Sequence, residues 1–121
     1  MKNIETGKIG ENIAHRYLVS RGYKILARNY KEKFNELDIV ARHPDGTLIF
    51  CEVKAINYGN SGFMPEDNFS EAKRQKTIRA VNIFLARYPG LIWDGPGWQI
   101  DLIAVVIGEG KVISMHHYKN V

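Results

Sequence analysis

The twenty residues from Asn35 to Lys54 constrain this chain most: N-E-L-D-I-V-A-R-H-P-D-G-T-L-I-F-C-E-V-K. Pro44, Asp45 and Gly46 form a turn signal. The runs on either side, Leu37 to Ala41 and Thr47 to Val53, are β-prone. The stretch therefore reads as a β-hairpin. Strand side chains alternate between faces, so Glu52 and Lys54 point one way while Ile49, Cys51 and Val53 point the other. Folding at the Pro-Asp-Gly turn brings Asp38 beside the Glu52/Lys54 face. Two carboxylates and one ammonium then converge on an otherwise apolar sheet.

The rest of the chain supplies elements to pack around that hairpin. Ile9, Ile13 and Tyr17, with Ala14 and Leu18, predict a helix from about Lys8 to Ser20, started by Thr6 or Gly7 and ended by Gly22. Glu11 falls in its first turn, where it either favours the helix N-terminus or projects toward the carboxylates. Tyr23 to Tyr30 reads as a first strand. Ala55 to Asn68 is an irregular loop leaving directly from E-V-K, long enough to be functional. A second helix runs from Phe69 or Ser70 to Tyr88, with Asn68 and Glu71 as a capping-box start. Its apolar stripe is Ile78, Val81, Leu85 and Tyr88, with Phe84 beside it. Lys73, Arg74, Lys76 and Arg79 load the other side, either as a solvated face or as phosphate contacts. Gln99 to Ile107 is a strand buried on both faces. Phe50 is expected at the sheet's rim or under a helix. Gly108 to Gly110 turns the chain into an edge strand, Lys111 to His117. The predicted class is α/β, a mixed sheet with flanking helices in the order αβββαββ, as one domain over residues 1–121.

Hydrophobic residues at 45% and charged residues at 25% exclude a disordered chain. Seventeen Lys and Arg against thirteen Asp and Glu give a net charge of +4, a mild lean toward polyanions. Cys51 is the single cysteine, so no disulfide framework or cysteine zinc site forms within one chain. It is expected to be a buried strand residue. The opening M-K-N-I-E-T-G-K has no apolar run for a leader, and no window approaches a membrane span. A soluble cytoplasmic protein is the expectation.

No Ser-His-Asp set, Walker-type loop or zinc spacing is visible. His116 and His117 are adjacent on a strand and so face opposite ways. Phosphodiester hydrolysis needs an activated water and charge neutralisation at phosphate. Mg²⁺ or Mn²⁺ supplies both and is held by hard oxygen ligands. Asp38, Glu52 and the backbone carbonyl of Val53 are candidate ligands. Lys54 is the candidate to orient the water or help deprotonate it. A solvated cross-strand ion pair is the plainer reading of E-x-K on a strand.

Gly10-Glu11 with Ala14, Tyr17 and Leu18, then Gly22-Tyr23, Ile25-Leu26 and Arg28-Asn29, are followed by Glu36-Leu37-Asp38-Ile39-Val40-Ala41. Phe50, Glu52, Val53 and Lys54, then Lys73, Ala80 and Asp101, complete a series whose order and spacing are specific. With these residues the chain resembles the YraN-type bacterial proteins, relatives of archaeal Holliday junction resolvases in the restriction-endonuclease-like PD-(D/E)xK superfamily. The resemblance implies a Mg²⁺-dependent endonuclease fold with a site at Asp38, Glu52 and Lys54. It adds Glu11 as a residue reaching the metal from the first helix. Lys73, Lys76 and Arg79 become the expected DNA contacts. The chain departs from the family at Asn35 (usually Gly), at Ala55-Ile56 (usually Thr-Arg) and at Gln99-Ile100 (usually Arg-Phe). Two functional readings follow: a metal-dependent DNA endonuclease acting on branched or damaged DNA, or a nucleic-acid-binding accessory protein that keeps the fold. A homodimer would suit two-strand cutting, with Val112 to His116 or the loop of Trp93 and Trp98 as its contact.

Overall fold

The structure, a computed structural model, describes residues 3–59, 69–92 and 95–121. The elements are α1 (Asn3–Ser20), β1 (Lys24–Glu32), β2 (Asn35–Arg42), β3 (Leu48–Asn57), α2 (Glu71–Arg87), β4 (Trp98–Gly108) and β5 (Lys111–Tyr118). The order αβββαββ is the expected one. One mixed sheet holds all five strands in the order β1-β2-β3-β4-β5. Only β3 and β4 are parallel; the other neighbours are antiparallel. A parallel pair needs a crossover connection, and α2 lies within it.

The period-2 pattern divides the core into two layers. Ile39, Cys51, Ile103 and Val105 face α1 and pack with Ala14 and Leu18. Val40, Leu48, Phe50 and Ile100 face the other way and pack with Ala80, Val81 and Phe84 of α2. Phe50 is therefore under a helix, edge-on to Phe84 at 5.7 Å and to Trp98 at 5.8 Å between ring centroids. Strand β4 is buried without a break from Ile100 to Val105, as its apolar run predicted. At the β2–β3 turn Gly46 takes φ +97, and its N–H bonds to the His43 carbonyl at 2.8 Å. Gly22, at φ +89, closes α1 with the Tyr23 N–H on the Leu18 carbonyl at 3.0 Å.

Several expected boundaries move, for tertiary reasons. Helix α1 starts at Asn3 rather than Lys8, and β3 continues to Asn57 rather than Val53. The two extensions support each other: Thr6, buried within the helix, donates its hydroxyl to Asn57 Oδ1 at 3.0 Å. Thr6 and Gly7 are thus interior residues, not the helix start. Ser70 caps α2, accepting the Lys73 N–H at 3.2 Å, in place of the expected Asn68, which lies outside the described residues. The buried stripe of α2 is Thr77, Ala80, Val81 and Phe84, while Tyr88 is 48% exposed. The helix is rotated from the expected Ile78–Val81–Leu85–Tyr88 face because Phe84 fills the space between Phe50 and Tyr30. Trp98 opens β4 and packs in this layer instead of standing in a contact loop, and Trp93 lies outside the described residues.

Gly10 marks the closest approach of α1 to the sheet. A Cβ built there would stand 2.5 Å from the Ala55 Cβ, closer than two non-bonded carbons can sit. The Gly10→Ala substitution improves helix propensity by about 1 kcal/mol but forces α1 off β3. The expected net result in urea denaturation is a loss of about 1–3 kcal/mol, as for other overpacked cores.

Candidate active site

Strands β2 and β3 pair from Arg42/Leu48 as far as Ile39/Cys51, and there their ladder ends. The next residue on β2 is Asp38. Its Oδ2 accepts the backbone N–H of Val53 at 2.8 Å, so a side-chain carboxylate stands where a neighbouring strand's carbonyl would otherwise be. On the other side of β2, Asn29 adopts φ +51 between the Arg28/Ile39 and Tyr30/Leu37 pairs. The sheet thus parts at Asp38, while β3 stays paired to β4 from Leu48 through Asn57. Glu52 and Lys54 are therefore carried on a strand that is fixed along one edge.

The parting opens into a cavity of about 460 Å³ whose wall includes Asp38, Glu52, Lys54, Lys73, Lys76 and Thr77. The expected convergence of Asp38, Glu52 and Lys54 is observed. In a strand a residue's N–H and C=O point to the same edge. The Val53 carbonyl is thus turned toward the same parting as the N–H that Asp38 holds. The Thr77 hydroxyl lies 3.3 Å from Glu52 Oε1 and 3.0 Å from the Lys73 carbonyl, which share its single proton.

Burial, then the charge of Asp38 and a hydrogen bond with it, push the Glu52 carboxyl up to about 8; Lys54 and Thr77 oppose the shift. Two carboxylates this close cannot both be ionised cheaply. Lys73 is drawn below the usual lysine range, first by a hydrogen bond with Lys54, then by burial and Lys54's charge. The site thus holds a carboxylate pair facing a lysine pair. Oxygen donors at such a pair fit a hard divalent cation, which would replace the proton favoured on Glu52.

Glu11 is placed differently. It lines a neighbouring cavity with Lys8, Asn12, Arg28, Asn29 and Lys31. Arg28 Nη2 lies 3.4 Å from its Oε1. Burial raises the Glu11 carboxyl and the charge of Asp38 adds to this, while Arg28 and Asn29 oppose both. Among the described residues no three Asp, Glu, His or Cys side chains group closely enough to hold a metal ion. Glu11 is an electrostatic neighbour of Asp38 and is paired with Arg28. Of the three expected phosphate contacts, Lys73 and Lys76 line the cavity, whereas Arg79 is exposed outside its lining.

Sequence reasoning did not reach Thr77, Phe69 or the hairpin-tip residues Lys33 and Phe34, all of which line the cavity. A threonine at i+4 from Lys73, inside an otherwise apolar stripe, was the available signal for Thr77. The departures from the family pattern fall elsewhere. Ala55 abuts Gly10 on the α1 side. Gln99 donates its Nε2 to Asp101 Oδ1 at 2.8 Å. Ile56 is not part of the cavity wall. Cys51 is buried, and burial raises its thiol well above the usual range, so it is no nucleophile.

Fold and site together define a small α/β protein with a paired-acid, paired-lysine centre where its central hairpin parts. A family model described as "Uncharacterised protein family UPF0102" matches residues 10–105. A UPF0102 protein of Dictyoglomus turgidum is 41% identical, covering 99% of this chain and 98% of its own length. One from Roseiflexus castenholzii is 36% identical over 92% of this chain and 87% of its own. One from Pseudothermotoga lettingae is 40% identical over 81% and 85%. The chain belongs to the UPF0102, or YraN-type, family. The relatives' names state a family and no activity.

The Glu52 carboxyl gives a pH prediction for the metal-free protein. Its folded value of about 8 lies above the ordinary 4.5, so folding favours the protonated form. That contribution to stability is complete below the ordinary value and is lost as pH rises through the folded one. Thermal melts in chelator at about pH 5 and about pH 9 should show the wild type losing more stability than Glu52→Gln. Equal losses would contradict the assignment.

Proposed function

We propose that this protein is a metal-dependent DNA endonuclease whose site is Asp38, Glu52, the Val53 carbonyl and Lys54. The observation that carries the reading is the half-buried Asp38–Glu52 pair at the parting of β2 and β3, with Lys54 beside it. A solvated ion pair, the plainer reading of E-x-K, does not need a second carboxylate pressed against the first.

Asp38, Glu52 and the Val53 carbonyl would hold Mg²⁺ or Mn²⁺, with Glu11 adding negative charge from the first helix. The bound cation would supply charge neutralisation at phosphate and a more acidic water. Lys54 orients that water and offsets negative charge developing on the phosphate. Its partner Lys73 and the nearby Lys76 supply positive charge at the cavity wall for the DNA backbone. Arg79 extends the same charge along α2. Thr77 holds the Glu52 carboxylate in place. The reaction transfers a phosphoryl group to water and leaves two strand ends. A second copy pairing along the β5 edge would present two such sites for two-strand cutting; Val112 and Ile113 on that edge are about half exposed.

The accessory reading rests on the family's Thr-Arg and Arg-Phe replacements. Ala55 and Gln99 lie on the α1 side of the sheet and Ile56 is outside the cavity wall, which supports cleavage over a purely accessory role. Among the described residues no helix is long and apolar enough to cross a membrane.

The test is incubation with branched, duplex and single-stranded DNA under Mg²⁺ or Mn²⁺, beside chelator and variant controls. Cleavage is expected only with metal. Asp38→Ala and Lys54→Ala should each lower the rate by about 10²–10³-fold. Metal-independent cleavage, or DNA binding with no cleavage of any substrate, would overturn the proposal, the second in favour of the accessory role.

A further inference from the structure

The cavity has an aromatic rim that the hydrolytic reading leaves unused. Phe34 sits at the tip of the β1–β2 hairpin and is 91% exposed, the most open of the described large apolar side chains. Single exposed apolar residues are common and need no explanation. This one differs in its place. It lines the same cavity as Asp38, Glu52 and Lys54, and Phe69 at the foot of α2 lines it too. Lys33 beside it adopts φ +56, a backbone conformation that favours glycine. Lys33, Lys73 and Lys76 bring positive charge to the same wall.

The partner for such a rim must combine a flat apolar face with negative charge a few ångströms away. An apolar protein surface would leave the lysines desolvated and unpaired. A nucleic-acid strand meets both demands, with its phosphate in the cavity and a base on the ring. In a continuous duplex the base faces are already stacked on one another. Away from the duplex ends, only an unpaired nucleotide offers a free face.

The geometry points to Phe34 as a base-stacking platform that selects DNA with unpaired nucleotides, such as a gap or flap, whose phosphate meets Lys33, Lys73 and Lys76 in the cavity that Asp38 and Glu52 also line. This inference rests on the proposed site receiving a phosphodiester. It assigns substrate selection to the β1–β2 hairpin, apart from the groups that hold metal.

The test uses the full chain in chelator, so that binding is read without cleavage. Fluorescence anisotropy compares a fully paired duplex with the same duplex carrying a single-stranded gap, using the wild type, Phe34→Ala and Phe34→Trp. The wild type should prefer the gapped DNA. Phe34→Ala should lose about 5- to 100-fold on gapped DNA and little on duplex, and Phe34→Trp should restore the preference. A 2-aminopurine in the gap should be quenched by the wild type and the Trp variant but not by Phe34→Ala. Equal losses on both DNAs, or no loss on gapped DNA, would overturn the inference. So would a Phe34→Ala variant whose only change, by sedimentation, is loss of self-association. Cleavage with unaltered preference sinks this inference alone, whereas Phe34-dependent gap binding by a protein that never cleaves preserves it and sinks the nuclease reading.

Discussion

The bond from the Val53 N–H to the Asp38 carboxylate is the contact on which the site depends. A sheet is held by backbone ladders, and a ladder leaves no room between neighbouring strands for a ligand. Here the ladder stops one residue short of Asp38, and the carboxylate satisfies the freed N–H. An unsatisfied buried N–H would cost about 1–3 kcal/mol. The same side chain therefore closes the end of one strand pair and delivers negative charge to Glu52. The lysine pair, Lys54 and Lys73, faces that charge across the cavity.

The other face of the sheet is fixed by a second polar network. Asp101 is fully buried on β4. It accepts from Gln99, from His117 Nε2 at 2.7 Å and from the Asn120 N–H at 3.0 Å. Burial alone would raise its carboxyl, but these bonds, His117's first, outweigh burial and leave it lowered. His117 Nδ1 lies 2.8 Å from the Tyr17 hydroxyl, which ties α1 to the edge strand β5. The helix that carries Glu11 is thus held at Tyr17, at Gly10 and at Thr6. Gln99, two residues before Asp101 on the same strand, supplies one of its donors.

What the sequence made legible was the periodic part. The alternation of Ile49, Phe50, Cys51, Glu52, Val53 and Lys54 sets their faces without any tertiary knowledge, and the Pro-Asp-Gly turn sets which strand lies beside them. Strand β4 was legible because a near-continuous apolar run has few other places to go. The elements that shifted were decided by partners distant in sequence. Thr6 and Asn57 lengthen α1 and β3 together, and Phe84 rotates α2 toward Phe50 and Tyr30. That rotation brings Thr77 onto Glu52, which no spacing rule within the helix foretells. Glu11 was placed near the site by family resemblance, and the resemblance carried no information about Arg28 as its partner. Phe34 was invisible for a different reason: it stands 91% exposed at a hairpin tip, where no burial pattern marks it.

Calorimetric titration with Mn²⁺ would test whether Asp38 and Glu52 form the proposed divalent-cation site. Near neutral pH the metal-free Glu52 holds a proton, since its carboxyl stands at about 8. Binding must displace it, and titrations in buffers of different ionisation enthalpy count that proton. Saturable binding with about one proton released per ion is expected, lost in Glu52→Gln. Absence of binding, or binding that releases no proton and survives Glu52→Gln, would contradict it.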